Sequence, residues 1–103
     1  MLQIWRYFMY GTIAKLNTKQ GALEELSKIG NGRRPAGYVG SYVFKSDNDP
    51  DELWLVAIFE DKATYMANAN SPEQDKEFRS LMRFLKTEPD WHDGEIAFEN
   101  KAD

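Results

Sequence analysis

The chain has 103 residues, and its 13 Lys plus Arg against 17 Asp plus Glu give a formal net charge of -4. This length suits one domain, residues 1–103, because chains divide into several cores only at greater lengths. The negative charge disfavours nucleic acid and anionic membranes as partners. The absence of cysteine excludes disulfides and thiolate chemistry and suits a reducing compartment, so the cytoplasm is the predicted location. The longest apolar run, Leu53 to Phe59, is far shorter than the roughly 18 to 20 residues that cross a bilayer.

The first third of the chain predicts a strand followed by a helix. Ile4 to Leu16 is dense in aromatic and β-branched residues, which favour strands, and Gly11 in its middle could mark a bulge. Asn17 or Thr18 can cap a following helix, which the glycines of the segment 30–32 end. That helix has apolar residues at helical spacing: Ala22, Leu26 and Ile29.

The middle of the chain predicts a hairpin and a short helix. Tyr38 to Lys45 and Glu52 to Glu60 have strand composition, and a polar connection with Pro50 separates them. Asp61 can cap a short helix that runs to Ala69.

The last third predicts a second helix and a closing strand. Ser71 to Gln74 combines a capping Ser, a Pro at the first helical position and a Gln three residues after the Ser. Pro89 ends the helix, and Asp90 to Asn100 alternates as a strand does. The helix has one apolar stripe: Phe78, Leu81, Met82 and Leu85. The order of elements is the βαββαβ pattern of ferredoxin-like α+β domains with a four-stranded antiparallel sheet.

The predicted sheet is apolar on both faces, which favours a homodimer. In the third strand, Leu53, Leu55, Ala57 and Phe59 alternate with Trp54, Val56 and Ile58. Helices can cover one face, so a second copy packed face to face would cover the other. The alternative is a monomer with a chance excess of apolar residues. The pattern leaves open which alternate set faces the helices.

Several motifs carry a resemblance to a known family. They are the step Phe59-Glu60-Asp61 leading to Tyr65, the alanine-asparagine stretch before Ser71-Pro72-Glu73, and the closing segment Glu88 to Gly94. With the run that ends at Arg33 to Gly37, they make the chain similar to the antibiotic biosynthesis monooxygenase domain family over nearly its whole length. The resemblance implies the dimeric α+β barrel, in which two ferredoxin-like sheets form one barrel.

The resemblance also implies a site and a chemistry. Monooxygenases of this family that need no cofactor bind an electron-rich substrate between sheet and helices, and the anion of that substrate reacts with oxygen. No metal, flavin or other cofactor is then expected. Tyr65 and His92 are the catalytic candidates, and the substrate-binding candidates are Tyr7, Tyr38, Tyr42, Trp54 and Trp91.

His92 is the one histidine and therefore the natural general base, because its ordinary pKa lies near neutrality. It shares a strand parity with Gly94, Ile96 and Phe98, which predicts that it points inward. A structural histidine bonded to a backbone carbonyl is the alternative. An axial haem ligand is not expected, because this histidine lies in the closing strand rather than on a helix that faces a cavity.

Two charged features have ordinary explanations. Arg33 and Arg34 follow glycines but lack the strand, Lys and Ser or Thr of a phosphate loop, so they are interpreted as surface charge at a hinge. The acidic residues between Asp47 and Glu52 lack the spacing of a calcium loop. Two other functions stay open: a non-catalytic module that binds a small molecule or dimerises, and an isomerase or cyclase of the same superfamily that transfers a proton without oxygen.

Overall fold

A computed structural model describes residues 8–30 and 32–102 of the chain. Four strands and three helices follow one another in the order β1, α1, β2, β3, α2, α3 and β4. Their bounds are β1 Tyr10–Asn17, α1 Leu23–Gly30, β2 Tyr38–Lys45, β3 Glu52–Phe59, α2 Lys62–Ala69, α3 Pro72–Met82 and β4 Asp90–Glu95. Within these described residues, no helix is long and apolar enough to cross a membrane.

The four strands form one antiparallel sheet in the order β2-β3-β1-β4. The two strands that flank α1 are therefore not neighbours, and β1 and β3 form the centre. This arrangement confirms the predicted ferredoxin-like α+β fold.

The register divides the sheet into two faces that the sequence could not tell apart. One row of paired residues across the sheet consists of Ser41, Ala57, Thr12 and Asp93, so their side chains lie on the same face. Ala14, two residues after Thr12 in β1, lies on this face too and is fully buried. Leu16, Leu53 and Phe59 share this face and are also buried. The helices therefore cover this face, which we call the inner face. The opposite face, which we call the outer face, carries the residues that alternate with these in each strand.

Short polar side chains fix where α2 and α3 begin, as the sequence predicts. The Asp61 Oδ1 atom accepts a hydrogen bond from the Thr64 N–H at 2.8 Å, and the Ser71 Oγ atom accepts one from the Gln74 N–H at 3.1 Å. Each bond satisfies an N–H that the helix itself leaves without a partner. Both predicted caps are confirmed.

The start of α1 differs from the prediction. Asn17 ends β1, and Thr18 pairs with Leu85 and donates from its hydroxyl to the Asp51 carbonyl at 3.1 Å. Neither residue caps α1, which begins at Leu23 after a turn. The long-range contacts of Thr18, a side chain only 2% exposed, outweigh its local capping preference.

Three other boundaries also differ. β1 begins at Tyr10, so Phe8 and Met9 precede it although the sequence predicts a strand from Ile4; the predicted part from Ile4 to Tyr7 lies outside the described residues. The apolar stripe of α3 continues beyond the helix, because α3 ends at Met82 and the buried Leu85 lies after it. The closing strand ends at Glu95 rather than at Asn100.

Gly11 does not form the predicted bulge. It pairs regularly with Ile58, and the register shift lies instead in β2, between Tyr38 and Gly40. A Cβ atom at Gly11 would overlap the Ala57 carbonyl group, so close strand approach explains this glycine.

Replacing Gly11 with Ala should therefore lower the free energy of unfolding by about 1–3 kcal/mol, as overpacking typically does. Gly94 is the matched control, because it pairs with Gly11 across β1 and β4 and a Cβ there meets nothing within 4 Å. Gly94→Ala should change stability by less than about 0.5 kcal/mol. Urea unfolding measures both, and equal losses in the two variants would contradict the explanation.

Candidate functional site

A cavity of about 490 Å³ lies between the inner face of the sheet and helices α2 and α3. This volume is in the range of small-molecule sites. Its walls are rich in aromatic rings, which come from the sheet and from both helices: Tyr38, Phe59, Tyr65, Phe78 and Trp91.

Ring contacts hold the α2 side of this cavity in place. Tyr65 of α2 lies edge-on against Phe59, with 5.6 Å between the ring centroids, and packs 5.1 Å from Tyr10. Tyr38 also packs edge-on against Phe59, with 5.6 Å between the ring centroids. Such edge-to-face contacts stabilise defined ring orientations. The buried Phe59 thus positions two tyrosines at the cavity wall.

A hydrogen bond joins two polar groups of the cavity. The Tyr65 hydroxyl donates to the Asp93 Oδ1 atom at 2.9 Å. Burial, followed by this bond to a carboxylate, raises the pKa of Tyr65 to about 12. Near neutral pH Tyr65 is therefore a hydrogen-bond donor and not a base, whereas a carboxylate can accept a proton.

The raised pKa of Tyr65 predicts a loss of stability at alkaline pH. The folded protein retains the phenolic proton up to about pH 12, whereas the unfolded chain releases it near 10.0. Stability from this group is therefore complete below pH 10 and decreases as the pH rises through 12. Tyr65→Phe should unfold with a shallower pH dependence in this range.

Urea midpoints measured between pH 9 and 12 check this prediction of alkaline instability. Asp93 and Tyr10, the two neighbours that affect Tyr65 electrostatically, are present in both proteins. Parallel profiles for the two proteins would contradict the prediction.

Arg33 closes another side of the cavity. Its guanidinium donates to Glu77 through Nε, and through Nη2 to Asn68 at 3.0 Å and Gln74 at 3.1 Å. The Arg33 side chain is 30% exposed. The interpretation of Arg33 as hinge surface charge is therefore wrong, because this residue ties the loop after α1 to α2 and α3.

The structure separates the predicted site residues into two groups. Tyr38, Tyr65 and Trp91 line the cavity. Tyr42 and Trp54 lie in outer-face rows of the sheet, so they do not reach it. Tyr7 lies outside the described residues.

His92 lies on the outer face, so the prediction that it points inward is wrong. It pairs with Ile13, which is 49% exposed, while its neighbours Trp91 and Asp93 line the cavity. The His92 Nε2 atom lies 3.2 Å from the Asp90 Oδ2 atom, and the His92 side chain is 65% exposed. His92 and Gly94 do alternate with Trp91 and Asp93 in β4, but packing turned Trp91 and Asp93 toward the helices, and Ile96 and Phe98 lie beyond the strand.

Asp93 is the site residue that the sequence did not single out. Two-residue alternation already groups it with Trp91, and the register pairs it with the buried Thr12. That grouping would have identified Asp93 once Trp91 was assigned to the pocket. In the part of the chain that the structure describes, no three His, Asp or Glu side chains gather to hold a metal ion.

Comparison with known proteins gives relatives in structure only. No family model matches the chain, and no curated protein matches it in sequence. A solved structure named "Putative antibiotic biosynthesis monooxygenase from Nitrosomonas europaea" has a TM-score of 0.76 at 12% identity, covering 96% of this chain and 100% of its own.

Two further solved structures are similar in fold to this chain. A "putative Antibiotic biosynthesis monooxygenase" from Chloroflexus aurantiacus has a TM-score of 0.72 at 20% identity, covering 90% of this chain and 97% of its own. A conserved protein from Methanosarcina mazei has a TM-score of 0.71 at 15% identity, covering 84% and 91%. The resemblance found in the motifs thus extends to the fold: the chain has the ferredoxin-like α+β fold of structures that carry the antibiotic biosynthesis monooxygenase name.

Proposed function

We propose that the chain is a homodimeric monooxygenase of the antibiotic biosynthesis type that oxidises an electron-rich aromatic molecule without a cofactor. The observation that carries this proposal is the Tyr65–Asp93 hydrogen bond at the wall of an aromatic-lined cavity that is open to solvent. A proton acceptor beside a binding site for flat rings is what this reaction needs. The names of the structural neighbours support the same class. The cytoplasmic location stays a prediction from the sequence.

The chain's own residues have three tasks in this reaction. Aromatic walls, including Tyr38 and Trp91, bind and orient the ring of the substrate. Asp93 accepts the proton that leaves the substrate, while Tyr65 donates its one hydroxyl hydrogen to the carboxylate and holds it in position. Arg33 keeps the loop wall closed against α2 and α3.

The electrons come from the substrate itself. Deprotonation gives an electron-rich carbanion or enolate, which reduces molecular oxygen. One oxygen atom then forms the new carbonyl group of the product, and the other leaves as water with the two hydrogens lost from carbon. A methylene group next to an aromatic ring is thus converted to a ketone with one oxygen molecule.

The outer face supports the homodimer in this proposal. Ile13, Tyr42 and Phe44 are 49%, 67% and 59% exposed, and Trp54 adjoins them at 36%. Apolar area of this kind gains about 25 cal/mol per Å² when it is covered. A second copy packed by two-fold symmetry covers both outer faces at once.

Oxygen consumption with an anthrone tests the proposed function. The expected result is one oxygen molecule consumed per anthrone, with isotopically labelled oxygen found once in the quinone and once in water. Exchange of the substrate proton without oxygen uptake would instead establish a proton-transfer isomerase or cyclase. Binding without either reaction would establish a non-catalytic module. Each of these two outcomes overturns the monooxygenase.

A further inference from the structure

A second cavity, of about 330 Å³, lies beside the first, between the inner face of the sheet and helices α1 and α3. The residues that line this cavity but not the first are aliphatic, apart from Ser27, and come from α1, α3 and the sheet. They include Leu23, Leu26 and Ile29 of α1, Val43 and Leu53 of the sheet, and Leu81 of α3.

The two cavities adjoin along a shared wall. The shared wall has an apolar part, Leu55, Phe78 and Trp91, and a polar part that includes Ser41, Gln74 and Glu77. The Phe78 and Trp91 rings lie 6.4 Å apart between centroids and face one another from the helix and the sheet. The second cavity therefore directly adjoins a ligand that is bound in the first.

The chemistry of the two cavities differs. The first contains the Tyr65–Asp93 pair and the Arg33 side chain, which suit a ring with hydroxyl or keto groups. The polar side chains of the second cavity lie on the shared wall, except Ser27. Its far end is lined by aliphatic side chains that offer little to hydrogen-bond water, so an apolar group is the occupant that this end favours. A ligand that fills both cavities would therefore have one polar part and one apolar part.

We infer that the ligand is bipartite: an aromatic head with hydroxyl or keto groups occupies the first cavity, and an alkyl arm attached to it passes the Phe78–Trp91 pair into the second. This inference rests on the proposed function for the placement of the head. It adds a substrate class, ring compounds that carry an aliphatic chain.

A series of 4-alkylphenols from methyl to hexyl tests this inference by calorimetric binding to the intact protein. Affinity should rise about fourfold for each added methylene, because each transfers from water to an apolar wall. Leu81→Trp fills the second cavity and should abolish this rise while leaving the affinity for 4-methylphenol unchanged. Leu23→Trp fills the same cavity from α1 and should have the same two effects. Because the Leu23 side chain is 40% exposed and tolerates change, this variant replaces Leu81→Trp if the latter does not fold.

Met66→Trp is the matched control, since Met66 is also 40% exposed but lines neither cavity. It should retain the full dependence on chain length. Affinities that do not change with chain length, a rise that persists in both filled variants, or a rise lost in Met66→Trp as well would each overturn the inference. Binding is measured without oxygen turnover, so a normal chain-length series without oxygen uptake would overturn only the proposed function.

Discussion

Replacing Asp93 with Asn is expected to lower the rate of anthrone oxidation by about 10²–10⁴-fold, the usual contribution of a positioned general base. Asn keeps the shape of the side chain, and its amide oxygen can still accept the Tyr65 hydrogen bond. It cannot take up the substrate proton. Because the change removes proton transfer and not the cavity, substrate binding should change little while turnover is lost.

Two variants on the other face of the same strand control this result. Asp90→Asn removes a carboxylate that pairs with His92 rather than facing the cavity, and it should leave turnover nearly unchanged. His92→Ala tests the base that the sequence favoured, and it should also retain turnover. Full activity in Asp93→Asn, or a loss confined to His92→Ala, would contradict the assignment of Asp93. Circular dichroism confirms that each variant is folded.

Replacing Ile13 with Asp should convert the proposed dimer into single chains of 11.9 kDa. Ile13 lies on the outer face of a central strand, between Val56 and His92, so a symmetric partner would bury it. Burying an unpaired carboxylate costs on the order of several kcal/mol for each ion, and the two-fold axis doubles the change. Since about 1.4 kcal/mol is a factor of ten, the dissociation constant should rise by about 10⁴-fold or more.

Analytical ultracentrifugation at micromolar concentration measures this change in assembly. Met66→Asp is the control, because Met66 is comparably exposed on α2, on the helical side of the molecule. It should leave the dimer intact. A wild-type protein that sediments as a single chain would refute the homodimer directly, and a dimer that survives Ile13→Asp would place its interface elsewhere.

Local chemistry was enough to predict most elements of the fold. Asp61 and Ser71 cap helices through hydrogen bonds to N–H groups three residues away, so their effect is visible in the sequence. The polar connection with Pro50 likewise separates two strands that pair as a hairpin. Thr18 shows the limit of such reasoning, because its partners Asp51 and Leu85 lie far along the chain.

The alternation of apolar residues established that both faces of the sheet are apolar, but it could not choose between them. A strand places neighbouring side chains on opposite faces whichever way it is turned, so the pattern is symmetric with respect to that choice. Packing of the helices against Ala14, Leu16 and Leu53 made the choice, and it put Asp93 in the cavity and His92 outside. The site therefore depends on contacts between distant segments, which no local pattern records.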